Sequence, residues 1–94
     1  KSDGVITSRA RLSMFMGTNS ERLARDMSVG QGEALNVLAD LMGVKEQDKS
    51  LFFKTTQQHF SFIFAADNKT AGDVLAALNK VMAQDSTLAT YAAV

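Results

Sequence analysis

The side chains that could carry out chemistry are few and scattered along the chain. His59 is the single histidine, and the sequence contains no cysteine. The chain therefore has too few donors for a metal site built from histidine or thiolate, and it has no thiolate nucleophile. The members of a Ser-His-acid triad meet in space and not in sequence, but no serine here has the surroundings of a nucleophile elbow. We expect no catalytic, cofactor-binding or metal-binding residues, and we interpret His59 as a helix residue at the edge of an aromatic face.

The turn Gly30-Gln31-Gly32, followed by Glu33, is a second place where a ligand could bind. It lacks the third glycine of a dinucleotide fingerprint and follows a helical pattern instead of a strand. Its N–H groups could still hold an anion at a helix N-terminus. The interpretation we favour is a tight turn between two helices, with Glu33 well placed for the helix dipole.

Phenylalanine is concentrated in one segment, since five of the six lie between positions 52 and 64. The helical spacing predicts that most of them form the core. Phe53 and Phe62 point away from the main face, which consists of Phe52, Thr56, His59, Phe60 and Ile63. Together with Phe64 they leave the helix apolar on more than one side near its ends. These three are therefore candidates for an interface with a partner protein or a second subunit.

The elements that would position these residues are all predicted to be helices. The 94 residues include no proline, and no strand-length stretch alternates between apolar and polar residues. We predict one all-α domain over residues 1–94, a compact bundle of five to six short helices after an extended lead-in at 1–7. The predicted helices start at Ser8, at Asn19 or Ser20, near Gln31, at Asp48 or Ser50, at Thr70, and at Ser86 or Thr87.

Several local features of these helices are also predicted. The first two could instead form one long helix that includes Gly17, and Arg22, Arg25 and Asp26 should face outward. The third should end at Met42, with Gly43 as a left-handed cap. The fourth should follow a charged connection over 45–49 and run unbroken to about Phe64. Thr70 and Asp73 should form a capping box at the fifth.

The segment Leu38-Ala39-Asp40-Leu41-Met42-Gly43-Val44 resembles the first helix and turn of a helix-turn-helix domain. The next helix would then read DNA, with Lys49 and Lys54 as its cations. Ten basic and ten acidic side chains leave no net charge, however, and phosphate contacts need clustered Lys and Arg. DNA binding is therefore the alternative function, and we expect no nucleic-acid partner.

The segment that begins at Asn19 carries a recognisable pattern. Asn19 is followed by Leu-Ala-Arg-Asp-Met, then Gly-x-Gly-Glu, then Leu-x-x-Leu-Ala-x-Leu-x-Gly. The residues of this pattern that we single out as family-motif or structural positions are Asn19, Asp26, Gly30, Gly32, Glu33 and Gly43. Over roughly residues 10–93 the chain resembles an uncharacterised family of small exported proteins from Gram-negative bacteria. The resemblance implies export and a helical structure, and it supplies no activity, catalytic residue or cofactor.

These features lead to one functional expectation. We expect a non-enzymatic protein, periplasmic or secreted, that acts through a protein partner or self-association, for example as a subunit of an envelope assembly. No apolar run approaches the ~20 residues that span a bilayer, so we expect no membrane span. The chain begins at Lys1 and not at Met, which we interpret as a removed signal peptide or a fragment.

Overall fold

The computed structural model describes residues 8–92, with their side chains from residue 10 onward, so the predicted lead-in at 1–7 lies outside the described residues. The described part contains six α-helices, a short 3₁₀ helix and no strand, which confirms the all-α class. The helices are α1 Ser8–Thr18, α2 Ser20–Val29, α3 Glu33–Leu41, α4 Glu46–Gln58, α5 Phe60–Ile63, α6 Ala71–Ala83 and the 3₁₀ helix Leu88–Tyr91.

The first two helices are separate, so the alternative of one long helix is wrong. Gly17 lies inside α1, and the break falls at Asn19. The predicted side-chain cap of α2 is also wrong, because the Asn19 amide donates to the carbonyl of Phe15 at 3.1 Å. The side chain thus bonds back to the end of α1 and leaves α2 without a side-chain cap.

Helix α3 is shorter than predicted at its start, because it begins at Glu33. Its end agrees with the prediction, since Gly43 adopts the left-handed conformation with φ 79°. The N–H of Gly43 bonds to the carbonyl of Asp40 at 3.0 Å, and that of Val44 bonds to Ala39 at 2.9 Å. These two bonds form a Schellman motif, which satisfies the last carbonyls of the helix and turns the chain toward α4.

The prediction of an unbroken fourth helix to Phe64 is wrong at both ends. Helix α4 begins at Glu46 within the predicted connection, where Glu46 and Asp48 favour a helix N-terminus. It ends at Gln58, because the backbone of His59 leaves the helical conformation. The break separates α4 from the short helix α5. The last carbonyls of α5 accept hydrogen bonds from the Asn68 side chain.

The capping box of α6 is confirmed. Thr70 Oγ1 accepts the N–H of Asp73 at 3.1 Å, and the Asp73 carboxylate accepts the N–H of Thr70. The last predicted cap is wrong: Thr87 has no capping side-chain bond, and Asp85 Oδ1 accepts the N–H groups of Thr87 and Leu88 instead. An aspartate two residues earlier thus starts the short 3₁₀ helix.

One cluster of buried side chains joins every helix of the described part. Helix α6 contributes most to it and packs against α1, α4, α5 and the 3₁₀ helix. The fully buried large side chains are Leu12, Met16, Leu23, Met27, Leu35, Leu38, Phe52, Ile63, Leu75, Leu78, Met82 and Leu88. Of the phenylalanines, only Phe52 is fully buried in the described residues, so the Phe-rich segment supplies one fully buried phenylalanine and not five.

Candidate functional site

Asp26 links the end of α2 to the start of α3. Its Oδ2 accepts the N–H of Ala34 at 2.8 Å and that of Leu35 at 3.3 Å. The side chain is half-buried, so the prediction that it faces outward with Arg22 and Arg25 is wrong. A carboxylate at this position satisfies two unpaired donors of α3 and interacts favourably with the helix dipole.

The turn between these helices is shaped around that carboxylate. Gly32 has φ 146°, and a methyl group added there would overlap the Asp26 carboxylate. The N–H groups of Gly30 and Gln31 bond to the backbone carbonyl of Asp26 at 2.8 and 3.1 Å. At the predicted anion position, the chain's own Asp26 therefore occupies the N-terminus of α3.

Gln57 holds the turn from the other side. Its Nε2 donates to the carbonyls of Ser28 and Val29, at 3.2 and 3.1 Å, at the end of α2. Gly30 lies against the same side chain, so a larger residue there would displace the end of Gln57. Nothing in the sequence pattern indicates this role, because Gln57 lies 28 residues from the carbonyl of Val29 that it bonds.

An open groove of about 510 Å³ lies beside this turn, between α1, α2 and α3. We call it the arginine groove, and its lining residues are Phe15, Asn19, Arg22, Arg25, Asp26, Glu33, Ala34 and Val37. Arg22, Arg25 and Glu33 are exposed, whereas Phe15 and Val37 are half-buried. Neither arginine forms an ion pair within the described residues. The lining of the groove thus combines two unpaired guanidinium groups with half-buried apolar side chains.

Lys49, unlike these arginines, is buried and has polar partners. Its Nζ lies 2.6 Å from Asp40, 3.3 Å from Glu46 and 3.1 Å from the side-chain oxygen of Asn36. The hydrogen bond to Asp40 raises the pKa of Lys49. These contacts fasten α4 to α3, so the ammonium group that we considered for DNA phosphates is bound within the fold.

Tyr91 fastens the C-terminal 3₁₀ helix to the start of α4. Its hydroxyl donates to Asp48 Oδ2 at 2.5 Å and accepts the N–H of Lys45 at 3.4 Å. The bond to Asp48 raises the pKa of Tyr91, because it requires the phenolic proton. This contact, like the Lys49 cluster, holds helices together.

The three candidate interface residues differ in exposure. Phe62 on α5 is 48% exposed, whereas Phe53 and Phe64 are half-buried and pack against the core. Phe62 borders a shallow depression of about 400 Å³ beside α6. We call this region the Phe62 surface, and its lining residues are Phe62, Ala65, Asp67, Asn68, Asp73, Ala76, Ala77 and Lys80.

His59 lies at the break between α4 and α5 with its side chain exposed, so the prediction that it joins the face of Phe52 and Ile63 is wrong. Among residues 8–92, no three or more His, Asp or Glu side chains are grouped to hold a metal ion. No helix in this part of the chain is both long and apolar enough to cross a membrane.

The family described as "Protein of unknown function (DUF3015)" matches residues 1–92. The chain belongs to the DUF3015 family. This confirms the resemblance to an uncharacterised family, while export and an origin in Gram-negative bacteria stay predictions. No curated protein and no solved structure matches the chain. The DUF3015 assignment brings no activity, so the function has to be proposed from the geometry.

Proposed function

We propose that this protein is non-enzymatic and acts through contacts with another protein, at the Phe62 surface. The observation that carries the proposal is the exposure of Phe62, at 48%, while Phe52, Phe53 and Phe64 pack into or against the core. An aromatic side chain left in water at the rim of a depression is a common feature of protein interfaces.

The surroundings of Phe62 support a protein partner. Ala65, Ala76 and Ala77 are small, so another backbone can approach closely and cover the ring. Asp67, Asp73 and Lys80 surround these apolar residues with charge. An apolar centre with a polar rim is the usual arrangement of a protein contact surface.

The proposed location is the periplasm or the extracellular space, and the proposed role is that of a subunit of an envelope assembly. This part of the proposal rests on the resemblance to exported proteins. Fractionation of the source cells, followed by detection of the native chain, tests it. Recovery of the chain with cytosolic markers alone would contradict it.

Photocrosslinking in the source cells tests the contact itself. We expect a benzophenone amino acid at position 62 to crosslink to one defined polypeptide, a partner or a second copy. The control is the same group at position 14, because Met14 is 67% exposed on α1 and lies outside the Phe62 surface. The substitutions Phe62→Glu and Met14→Glu provide a second comparison, and only the first should abolish the complex. Equal crosslinking from both positions, or none from position 62, would contradict the proposal.

DNA binding, the alternative, is less well supported. Of the two lysines considered for phosphate contacts, Lys49 is held by Asp40 and Glu46, and only Lys54 is exposed. One free cation on α4 is a weak basis for phosphate binding. Salt-dependent binding to duplex DNA that is lost in Lys54→Ala would revive this alternative.

A further inference from the structure

We propose that the arginine groove is a second binding site, which takes a short acidic segment of a partner polypeptide: a carboxylate next to an apolar side chain. The site is separate from the Phe62 surface and does not depend on it. Arg22 and Arg25 are three residues apart on α2, so both project on the same side of the helix. Two guanidinium groups so placed are suited to hold carboxylate oxygens through paired hydrogen bonds.

Within the part of the chain that the structure describes, neither of these two arginines has an ion-pair partner. Asp26, the adjacent carboxylate, is occupied by the N–H groups of Ala34 and Leu35. The positive end of the α3 dipole offsets its charge further. Glu33 lies on α3 and forms no ion pair within the described residues. Lys49, by contrast, has three polar partners.

The remaining lining explains why we propose a polypeptide. Phe15, Ala34 and Val37 are the apolar residues of the lining, and an apolar side chain can pack against them. Asn19 and Glu33 provide acceptors for backbone N–H groups of an extended segment. A volume of about 510 Å³ accommodates a few side chains. The negative charge of Glu33 would repel a uniformly anionic surface, such as a nucleic acid or a charged lipid layer. A short peptide, in contrast, can place its single carboxylate against the arginines.

Selection from a display library of random heptapeptides on the purified full chain tests this inference. We expect the enriched peptides to place Asp or Glu beside an apolar residue. Their affinity, measured by fluorescence anisotropy, should fall about tenfold or more in the double variant Arg22→Gln, Arg25→Gln, since two charge-assisted bonds are removed. It should also fall as salt rises from about 50 to about 300 mM.

Matched variants separate the groove from general charge. Glu33→Gln should tighten binding by roughly threefold, because a repelling charge leaves the groove. Arg11→Gln removes a positive charge from an exposed position outside the groove and should leave affinity unchanged. Phe62→Glu should also bind the peptides normally, so failure of the Phe62 surface and failure of this site are distinguishable.

Several results would overturn the inference. These are a library without enrichment, enrichment of basic or neutral peptides, or a double arginine variant that binds like Arg11→Gln. Complete displacement of the peptide by equimolar inorganic phosphate would show a simple anion site instead of a peptide site. Circular dichroism of the double variant checks that its helices are intact, so a loss of binding cannot be assigned to unfolding.

Discussion

Replacing Gly32 with alanine should destabilise the protein by more than backbone strain alone. Gly32 has φ 146° and ψ 165°, a conformation that is nearly restricted to glycine and costs another residue about 1–3 kcal/mol. The added methyl group would also displace the Asp26 carboxylate from the N–H groups of Ala34 and Leu35. Loss of such a cap costs about 1–2 kcal/mol, so we expect a total of about 2–5 kcal/mol.

A double-mutant cycle with Asp26→Ala separates these two contributions. Asp26→Ala alone should cost about 1–2 kcal/mol, because the N–H groups at the start of α3 lose their acceptor. In that background Gly32→Ala loses only the backbone term, so the two changes together should cost about 1–2 kcal/mol less than their sum. Urea unfolding followed by circular dichroism gives each free energy, and in a domain of this size 1 kcal/mol shifts the melting temperature by about 4–8 °C.

Gly43→Ala is the matched control. Gly43 also has a positive φ, of 79°, but an added methyl group would have no atom within 4 Å. We expect a cost of about 1–2 kcal/mol from the left-handed conformation and additivity with Asp26→Ala within about 0.5 kcal/mol. If Gly32→Ala is equally additive with Asp26→Ala, the carboxylate does not cap α3 in solution and the reasoning is refuted.

Three further predictions follow from other contacts. Thr70→Ala should cost about 0.5–2 kcal/mol by urea unfolding, since it opens the capping box with Asp73, and a neutral result would contradict the box. Phe52→Ala should cost about 3–5 kcal/mol, whereas Phe62→Ser should stay within about 0.5 kcal/mol, and equal costs would place Phe62 in the core. Tyr91, the single tyrosine, should ionise above the ordinary pKa of about 10 in an ultraviolet titration, and Asp48→Asn should lower the midpoint. Because the Asp48 bond needs the phenolic proton, its stabilisation is complete below the ordinary pKa and is lost as the pH rises through the raised value.

The features that the sequence predicts correctly are those with a local cause. The capping box of Thr70 and Asp73 involves residues three positions apart, and Gly43 closes a helix whose apolar spacing ends just before it. Helix α3 likewise has a regular stripe of buried residues. In each case the backbone bonds are made within one helical turn, so the pattern in the sequence contains the information.

The features that the sequence does not predict depend on distant partners. From its position on α2, Asp26 is predicted to be an exposed helix residue. In the structure its carboxylate accepts the N–H of Ala34, which lies eight positions later on α3. Gln57 bonds to carbonyls 28 and 29 residues away in the sequence. Lys49 contacts Asp40 and Asn36, which lie on another helix. Helical periodicity reports which side of a helix is apolar, but it does not report which polar side chains meet across helices.

Asp26→Asn would separate the structural part of the turn from the electrostatics of the arginine groove. The asparagine side-chain oxygen can still accept the N–H groups of Ala34 and Leu35, so α3 keeps its position while a charged hydrogen bond becomes a neutral one. We therefore expect a stability loss of about 0.5–1 kcal/mol by urea unfolding.

The same substitution should have the opposite effect on binding. Removal of one negative charge from the lining of the groove leaves Arg22 and Arg25 with less opposing charge, so the acidic peptides should bind more tightly. The gain should be smaller than for Glu33→Gln, because the hydrogen bonds and the α3 dipole already offset part of the Asp26 charge. A variant that is less stable but binds better cannot be explained by general damage to the fold. If Asp26→Asn instead weakens peptide binding as much as the loss of both arginines does, the carboxylate itself contacts the peptide, and the groove recognises a donor group and not an acid.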